Sequence, residues 1–345
     1  MVGLAWALMA GGCGTPSPES GTPAGGVQAG GSRGVYFVGF DASPPLVDAL
    51  REGKIQGLVL QNPYRMGELG VRTLVDHLEK KEIETKISTG EALVTPENMD
   101  DPEIARLLDP PKEEHGSDAS IQGAKAKKWR VMVIPKGTTH EFWKTIHAGA
   151  RKAAEELGNV EIFWQGPLKE DDRTEQIKLV ETAAGAGVDG MVLAPLDEQA
   201  LVGPVERAID KGIPVVIIDS ALESDGPVSF VATDNYHGGV LAARRLGELM
   251  KGEGRAILLR YAVGSASTED REKGFLDTMD KEFPKITFVS KDQYAGATSA
   301  KAQETAQNLI TRFRGQVGGV FCSNESCTLG MMRTLEGAGL LRGRP

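Results

Sequence analysis

The chain has 345 residues, of which 40% are hydrophobic and 25% charged, and its formal net charge is -9. This composition is typical of a globular protein with a large buried core, and the length suffices for two domains of ordinary size. The acidic charge and the lack of a basic stripe argue against a nucleic-acid partner, because phosphate binding relies on clustered Lys and Arg.

The first thirteen residues form a short apolar run that ends in small residues and Cys13. The run is too short to cross a bilayer and resembles the end of a bacterial lipoprotein signal, which would make Cys13 the lipidated first residue of the mature chain. No Lys or Arg precedes it and Ala10 stands where Leu is usual, so a chance apolar start is the alternative. We predict an exported protein, periplasmic or membrane-anchored, with residues 1–33 as a signal-like segment and flexible tether.

Apolar strand-like runs and amphipathic helix-like segments alternate along the rest of the sequence. Near the start, the pattern predicts strand 35–40, helix 45–52, strand 55–60 and helix 65–80. From Trp129 onward, it predicts strands 131–134, 160–164, 190–194 and 213–218, separated by helices 141–157, 174–186 and 198–211. A further series comprises helix 238–250, strand 256–261, helix 268–281, strand 286–289, helix 299–313, strand 318–322 and helix 328–339. Such alternation predicts an α/β protein with doubly wound parallel sheets covered by helices.

The order of these elements predicts two α/β lobes, one of which is divided between the two ends of the sequence. No strand follows helix 328–339, whereas strand 35–40 has the character of its continuation. We predict one lobe from residues 34–61, 92–110 and 235–345 and the other from residues 62–91 and 129–234. The polar residues 111–128 would be a linker or an ordinary surface loop. A circularly permuted order, natural or engineered, explains this arrangement, since surface junctions tolerate rewiring; a mis-assembled pair of fragments is the alternative.

Motifs for enzyme chemistry are absent from the sequence, which has no P-loop lysine motif, nucleophile elbow or His-Glu-x-x-His helix. Cys322 and Cys327 could form a short-loop disulfide in an exported compartment or remain separate thiols, and they supply too few ligands for a metal ion. We therefore predict no cofactor, no metal and no enzymatic activity.

Polar and aromatic side chains follow the predicted strands at their carboxyl ends, where open parallel sheets bind ligands. Planar polar groups that hydrogen-bond hydroxyls, together with rings that cover C–H faces, suit a polyhydroxy ligand. The candidate ligand-binding residues are His140, Phe142, Trp143, Asp219, Ser220, Arg271, Asn324, Asp41 and Gln61. Structural alternatives are hydrophobic core for the two aromatic residues, helix capping or turns for the other uncharged or acidic groups, and a solvated surface charge for Arg271.

Several strings carry a specific resemblance to known proteins: THEFWKTIHAGARKAAEELG, GVDGMVLAPLD, GIPVVIIDS, FVATDNYHGG, VFCSNES, YFVGFDASP and VLQNPYRMGELGV. Taken in cyclic order, they resemble the type I periplasmic sugar-binding proteins, the ribose-binding family in particular, over residues 35–110 and 129–342. The resemblance implies two lobes that close on a sugar by hinge motion and deliver it to the membrane permease of an ABC transporter. It also implies ligand contacts from Phe142, Trp143, Asp219, Arg271, Asn324, Asp41 and Gln61.

Three positions depart from the ribose-binding pattern and argue against ribose as the ligand. His140 stands where ribose binders carry an asparagine, Ser220 replaces an arginine, and an aromatic position of the family falls near Ala297.

A charge count narrows the ligand class further. Asp41 and Asp219 face one assured cation, Arg271, so an anionic ligand would add a third negative group to a partly desolvated site. We predict a monomeric protein that binds a neutral sugar or polyol rather than a sugar phosphate. The alternatives are a sugar-sensing ectodomain for chemotaxis or for a sensor kinase and, with less support, a sugar-processing enzyme. A repressor would need a helix-turn-helix headpiece, and residues 1–34 contain no such pattern.

Overall fold

The computed structural model describes residues 34–111 and 128–342, and within this part of the chain twelve strands and ten helices alternate. The strands are β1 (Tyr36–Phe40), β2 (Gly57–Gln61), β3 (Lys86–Ser88), β4 (Glu91–Val94), β5 (Trp129–Ile134), β6 (Val160–Trp164), β7 (Gly190–Leu193), β8 (Val215–Ile218), β9 (Ser229–Ala232), β10 (Glu253–Arg260), β11 (Lys285–Tyr294) and β12 (Gly319–Cys322). The helices are α1 (Pro44–Arg51), α2 (Pro63–Leu78), α3 (Pro102–Leu108), α4 (Glu141–Leu157), α5 (Arg173–Gly185), α6 (Val202–Asp210), α7 (Asn235–Leu249), α8 (Ala266–Glu282), α9 (Ser299–Arg312) and α10 (Glu325–Gly337).

The strands form two six-stranded sheets, ordered β11-β10-β12-β1-β2-β4 and β3-β9-β8-β7-β5-β6. Every pairing is parallel except that of β2 with β4, which is antiparallel. Helices α7 to α10 pack on the first sheet, helices α2, α4 and α5 pack on the second, and α6 packs beside α5. We call the first sheet with its helices the first lobe and the second sheet with its helices the second lobe. The predicted α/β fold with parallel sheets covered by helices is confirmed.

Four short elements of the structure were not predicted from the sequence. β3, β4, β9 and α3 have between three and seven residues, too few for a clear apolar periodicity. Helix α10 begins three residues earlier than predicted, because the side chain of Asn324 accepts a hydrogen bond from the backbone N–H of Cys327 and caps the helix. β11 extends to Tyr294, five residues past its predicted end.

Within the two described ranges, the chain passes between the lobes after β2, between β3 and β4, and between β9 and α7. Two of these crossing segments lie side by side, since the backbone N–H of Thr89 donates to the carbonyl of Ala232 at 3.0 Å and the hydroxyls of Thr89 and Thr233 are 3.4 Å apart. Beyond them, His237 Nδ1 lies 2.7 Å from Glu91 Oε1. The crossing segments therefore hold the two lobes together on one side of the cleft.

Two glycines set the close approach of α7 and α8 in the first lobe. A Cβ atom at Gly239 would lie 2.0 Å from the carbonyl oxygen of Arg271, and one at Gly274 would lie 2.1 Å from that of Tyr236. Only hydrogen fits at either position, so the two helix backbones touch. This contact positions the turn of α8 that carries Arg271.

The first and last described segments of the chain lie beside each other at the start of β1. The backbone N–H of Val35 donates to the carbonyl of Leu340 at 2.8 Å, and Val35 forms a parallel bridge with Leu341. β1 itself lies between β12 and β2 in the middle of the first sheet. The first described strand is thus paired with the strand that precedes the last described helix. Among the described helices, none combines the length and the apolar character that a membrane span needs.

Candidate ligand-binding site

One cavity between the lobes gathers eight of the nine predicted site residues: Asp41, Gln61, His140, Phe142, Trp143, Asp219, Arg271 and Asn324. The ninth, Ser220, is buried beside it, and its hydroxyl accepts a hydrogen bond from the backbone N–H of Ser267 at 3.0 Å. Five further residues line the cavity that sequence patterns did not indicate: Glu170, Tyr261, Ser267, Thr268 and Glu325. The site draws on both lobes, as expected when the carboxyl ends of two parallel sheets face each other.

Asp41 and Asp219 occupy equivalent places in the two lobes. Asp41 directly follows β1 and Asp219 directly follows β8, and both have a left-handed backbone with φ of 66° and 63°. Aspartate tolerates this conformation better than most residues, and the turn points the chain away from the sheet at once. Neither aspartate is the N-cap of a helix, so the capping alternative does not hold for them.

The Asp41 carboxylate is fixed by two neighbours. Its Oδ1 accepts a hydrogen bond from Gln61 Nε2 at 2.7 Å, and its Oδ2 accepts one from the backbone N–H of Glu325 at 3.0 Å. Burial raises the pKa of Asp41 above its ordinary value, although the charge of Arg271 and the bond from Gln61 oppose that rise. The carboxylate is therefore oriented before any ligand arrives.

Arg271 is the central cation of the cavity and is only 2% exposed. Its Nε donates to Asn235 Oδ1 at 2.8 Å, its Nη1 donates to the carbonyl of Ser323 at 3.0 Å, and its Cζ lies 4.0 Å from the centroid of the Phe40 ring. Burial lowers the pKa of Arg271, while Asp41 and Asp219 oppose that change. The surface-charge alternative for Arg271 is therefore wrong.

Two buried polar atoms of the cavity residues have no hydrogen-bond partner in the described part of the chain. They are Nη2 of Arg271, a donor, and Oε1 of Gln61, an acceptor. An unpaired buried polar group costs about 1–3 kcal/mol, so both atoms gain from a ligand that supplies the missing partner. A hydroxyl group can donate to one and accept from the other.

His140 occupies the N-cap position of α4, but its side chain does not cap the helix. Its Nδ1 lies 2.8 Å from Glu170 Oε1. Burial alone would lower the pKa of His140, but the hydrogen bond and charge of Glu170 outweigh burial and raise it to about 9. The imidazole is therefore a cation at neutral pH.

Glu170 joins three ring-bearing side chains. Besides His140, it accepts hydrogen bonds from the indole N–H of Trp143 and from the hydroxyl of Tyr261, the latter at 2.6 Å. Burial would raise the pKa of Glu170, but these three bonds hold it below its ordinary value. Because Tyr261 directly follows β10 of the first lobe and Glu170 lies in the loop after β6 of the second, this carboxylate connects the lobes.

The aromatic pair combines the two roles that the sequence left open. Phe142 is 9% and Trp143 2% exposed, their rings meet edge to face at 4.9 Å, and both belong to the core of the second lobe while lining the cavity. Ala297, where the family pattern places an aromatic residue, is buried in the core of the first lobe. Tyr261 brings an aromatic ring to the cavity from that lobe instead.

Lys136 corrects the charge count made from the sequence. Its Nζ lies 3.0 Å from Asp219 Oδ2, with both side chains about 5% exposed or less, and it contacts the hydroxyls of Ser265 and Ser267 at 3.3 and 3.2 Å. The expectation of one assured cation is therefore wrong, since Lys136 and protonated His140 join Arg271. In the sequence, Lys136 has the character of an ordinary surface lysine, and its burial depends on the meeting of the lobes.

Glu325, like Asp41, is an acid of the cavity for which the described residues provide no ion pair. It is 7% exposed, and its Oε2 lies 3.4 Å from the backbone N–H of Phe142 across the cleft. Burial raises the pKa of Glu325 to about 7; the charges of Asp41 and Glu170 add to the rise and that of His140 opposes it. Glu325 thus changes its charge near neutral pH.

Cys322 and Cys327 are buried and do not form a disulfide, so of the two alternatives, a disulfide or separate thiols, the structure has separate thiols.

Asn324 both caps α10 and lines the cavity. Cys13, the predicted lipidation site, lies outside the described residues. Within the described ranges, no group of three or more His, Cys, Asp or Glu side chains could hold a metal ion.

Comparison with known proteins agrees with this architecture. The family model for the periplasmic binding protein domain matches residues 21–82 and 131–345, and the chain belongs to that family. The resemblance to type I periplasmic sugar-binding proteins is thereby confirmed, as is the expectation of a binding protein rather than an enzyme.

Individual relatives are named for sugars. The chain is 27% identical to the D-ribose/D-allose-binding protein of Pseudomonas aeruginosa over 228 residues, covering 64% of this chain and 70% of that protein. It is 30% identical to the D-allose-binding periplasmic protein of Escherichia coli over 216 residues, covering 60% and 68%. A solute-binding protein from Agrobacterium radiobacter, solved in complex with D-arabinose, has 32% identity and a TM-score of 0.59 over 62% of this chain and 72% of that one.

Proposed function

We propose that this protein captures a small neutral sugar or polyol between its two lobes and delivers it to the permease of an ABC transporter. The observation that carries the proposal is the unpaired donor on Arg271 and the unpaired acceptor on Gln61, which share one cavity with the rings of Phe142, Trp143 and Tyr261. Rings cover the C–H faces of a sugar, and the two free atoms suit its hydroxyls.

The balance of charges supports a neutral ligand, although for a different reason than the sequence suggested. Lys136 is paired with Asp219, His140 is paired with Glu170, and Arg271 lies near Asp41. Four carboxylates, those of Asp41, Asp219, Glu170 and Glu325, therefore face three cations. A phosphate group would bring negative charge into a buried site where every cation already has a carboxylate nearby.

Hydrogen bonds across the cleft support closure of the lobes on the ligand. Tyr261 donates to Glu170, Ser267 donates to Ser220, and Lys136 contacts Ser265. Each bond contributes about 0.5–1.5 kcal/mol, or more where a charged group takes part. Closure excludes water from the sugar and changes the outer surface that a permease would contact.

The remaining assignments concern the surroundings of the protein. Membership of the periplasmic binding protein family supports export to the periplasm. We further propose that Cys13 carries a lipid anchor, that the protein acts as a monomer, and that it binds no nucleic acid, given its net charge of -9. Mass spectrometry of the membrane fraction would test the lipid, and light scattering the oligomeric state.

We also propose that residues 34–61, 92–110 and 235–345 form one lobe, that residues 62–91 and 129–234 form the other, and that residues 111–128 are the linker. We further propose that the elements follow a circularly permuted order. The passage of the chain between the sheets near residues 62, 90 and 234 supports these boundaries. The pairing of β1 with β12 supports the permuted order, since it puts the first described strand where the strand after α10 would stand.

A ligand panel tests the function directly. We expect neutral pentoses, hexoses or polyols to raise the melting temperature and to bind with micromolar or tighter affinity by calorimetry, and the matching sugar phosphates to have no effect. Recovery of the sugar unchanged separates binding from catalysis. Stimulation of ATP hydrolysis by a reconstituted permease distinguishes transport from sensing. Stabilisation by sugar phosphates alone would contradict the proposal.

A further inference from the structure

A second, larger cavity lies beside the crossing segments. Its walls come from both lobes and from the crossings themselves: Lys86, Ile87, Ser88, Ala221, Phe230, Ala232, Thr233, Asp234, Asn235, Tyr236, Ser267 and Asp270. It contains about 1000 Å³ of empty space, solvent at its mouth included, against about 320 Å³ for the cavity that holds Arg271. No part of the proposed function uses it.

The two cavities share one wall. Ser267 lines both, and its backbone N–H donates to Ser220 Oγ at 3.0 Å. On the side of the second lobe, this boundary is formed by the small side chains of Ser220 and Ala221. Because Ser267 belongs to the first lobe and Ser220 to the second, opening of the lobes separates this hydrogen bond.

Asn235 connects the second cavity to the polar groups of the first. Its side chain lines the second cavity, while its Oδ1 accepts from Arg271 Nε at 2.8 Å and its Nδ2 donates to the carbonyl of Asp219 at 3.4 Å. The amide of Asn235 thus faces the second cavity on one side and bonds to Arg271 and Asp219 of the first cavity on the other.

The lining of the second cavity repeats the chemistry of the first. Phe230 and Tyr236 supply rings, Asp234 and Asp270 supply carboxylates, and Thr233 supplies a buried hydroxyl. Burial raises the pKa of Asp270, and the charge of Asp234 adds to that rise. Rings together with hydroxyl-accepting carboxylates favour a sugar, and the two carboxylates outnumber the one lysine of the lining, Lys86.

We propose that the second cavity holds a second sugar unit, so that the complete site takes a disaccharide with one unit in each cavity. The proposal rests on sugar capture by the first cavity. The glycosidic oxygen passes beside Ser267, which lines both cavities. The ring of Tyr236, 41% exposed, covers the second unit.

Calorimetry tests this with the monosaccharide that stabilises the protein most and with disaccharides that carry the same unit at either end. We expect at least one disaccharide to bind about tenfold more tightly than the monosaccharide. Ala221→Trp and Ser88→Trp, which fill the second cavity from two sides, should remove that gain and leave the monosaccharide affinity within about twofold. Lys211→Trp, on an exposed turn of the same lobe, serves as the control and should retain both affinities.

Three results would overturn the proposal: disaccharides that all bind more weakly than the monosaccharide, a disaccharide gain that survives both tryptophan variants, or a gain seen only with phenyl glycosides, which would indicate an apolar aglycone. Failure of every mono- and disaccharide to bind would overturn the proposed function itself. Ser88 lies on an exposed edge strand, so Ser88→Trp keeps the test informative if Ala221→Trp does not fold.

Discussion

Tyr261 and Glu170 join the two lobes across the cavity, with the tyrosine hydroxyl donating to Glu170 Oε2 at 2.6 Å. The same carboxylate accepts a hydrogen bond from Trp143 and lies 2.8 Å from His140 Nδ1. A single acid therefore orients an aromatic ring and a cation in one lobe while holding a tyrosine from the other. This arrangement makes closure and the shape of the cavity dependent on each other.

Removal of the Tyr261 hydroxyl should weaken ligand binding. A hydrogen bond to a charged group contributes about 1.5–3 kcal/mol, and 1.4 kcal/mol is tenfold in affinity, so Tyr261→Phe should lower the affinity for the sugar about tenfold or more. Calorimetry measures the affinity, and small-angle scattering should detect a larger open fraction without ligand. Tyr294→Phe, whose side chain lies outside the cavity, should bind as the wild type does. Equal affinities for Tyr261→Phe and the wild type would contradict the role in closure.

Arg271→Lys should lose most of the binding although the charge is kept. A lysine cannot bond to Asn235 and Ser323 and still offer a free donor in the geometry of Nη2. We expect a loss of about 10- to 100-fold in affinity, corresponding to one or two hydrogen bonds to a charged group. Arg244→Lys, on the exposed face of α7 beside Glu282, is the matched control and should be neutral. Unchanged affinity in Arg271→Lys would place the ligand elsewhere.

Lys136→Met should destabilise the protein because it leaves Asp219 buried without its cation. Loss of one partner of a buried ion pair costs about 3–5 kcal/mol, and we expect a fall of this size in the free energy of unfolding measured with urea. Removing the second charge as well, in Lys136→Met with Asp219→Asn, should recover part of that loss. Lys144→Met, which breaks an exposed pair with Glu141, should change the stability by less than about 1 kcal/mol.

Two groups of the cavity should make stability depend on pH. The pKa of His140 is raised from 6.5 to about 9, so its stabilising contribution is complete below about pH 6.5 and is lost as the pH rises to about 9. The pKa of Glu325 is raised from 4.5 to about 7, so folding binds a proton between these values and stability falls as the pH rises through that range.

Urea unfolding at several pH values separates the two groups. Compared with the wild type, Glu325→Gln should gain stability at about pH 8 relative to about pH 5. His140→Gln should be destabilised at about pH 6, with a smaller difference at about pH 9.5. Parallel pH profiles for the wild type and both variants would show that neither group titrates as described.

A reordered protein tests the proposed permutation. Val35 and Leu340 are hydrogen-bonded neighbours, so residues 128–340 can be followed, through a short loop, by residues 34–111. We expect this protein to unfold in one cooperative transition and to bind the same ligand within about threefold of the original affinity. Failure to fold in this order would show that the lobe assignment is wrong.

The sequence predicted those parts of the site that local patterns determine. Asp41 and Asp219 directly follow buried strands, and Asn324 lies two residues past the end of β12. Because parallel strands bring such positions to one edge of a sheet, their convergence could be inferred from the sequence alone. The aromatic pair was placed by the apolar start of α4.

What the sequence did not predict depends on contact between the lobes. Glu170 lies six residues beyond the end of β6, in a loop without periodicity, and only its bonds to Tyr261 and His140 identify its role. Lys136 is buried by residues of the opposite lobe, and Glu325 was assigned to a loop because α10 was predicted to begin at residue 328. Glu325 could have been found from the capping preference of Asn324, which marks the true start of the helix.

The matched left-handed turns at Asp41 and Asp219 have a consequence for selectivity. Each carboxylate is rigidly fixed to its own sheet, so rotation of one lobe against the other alters the distance between them without reshaping either turn. A ligand too long or too short to reach both would hold the lobes at a different angle. We therefore expect the closure angle to depend on the span of the bound sugar, and a permease that recognises one angle would favour ligands of the matching span.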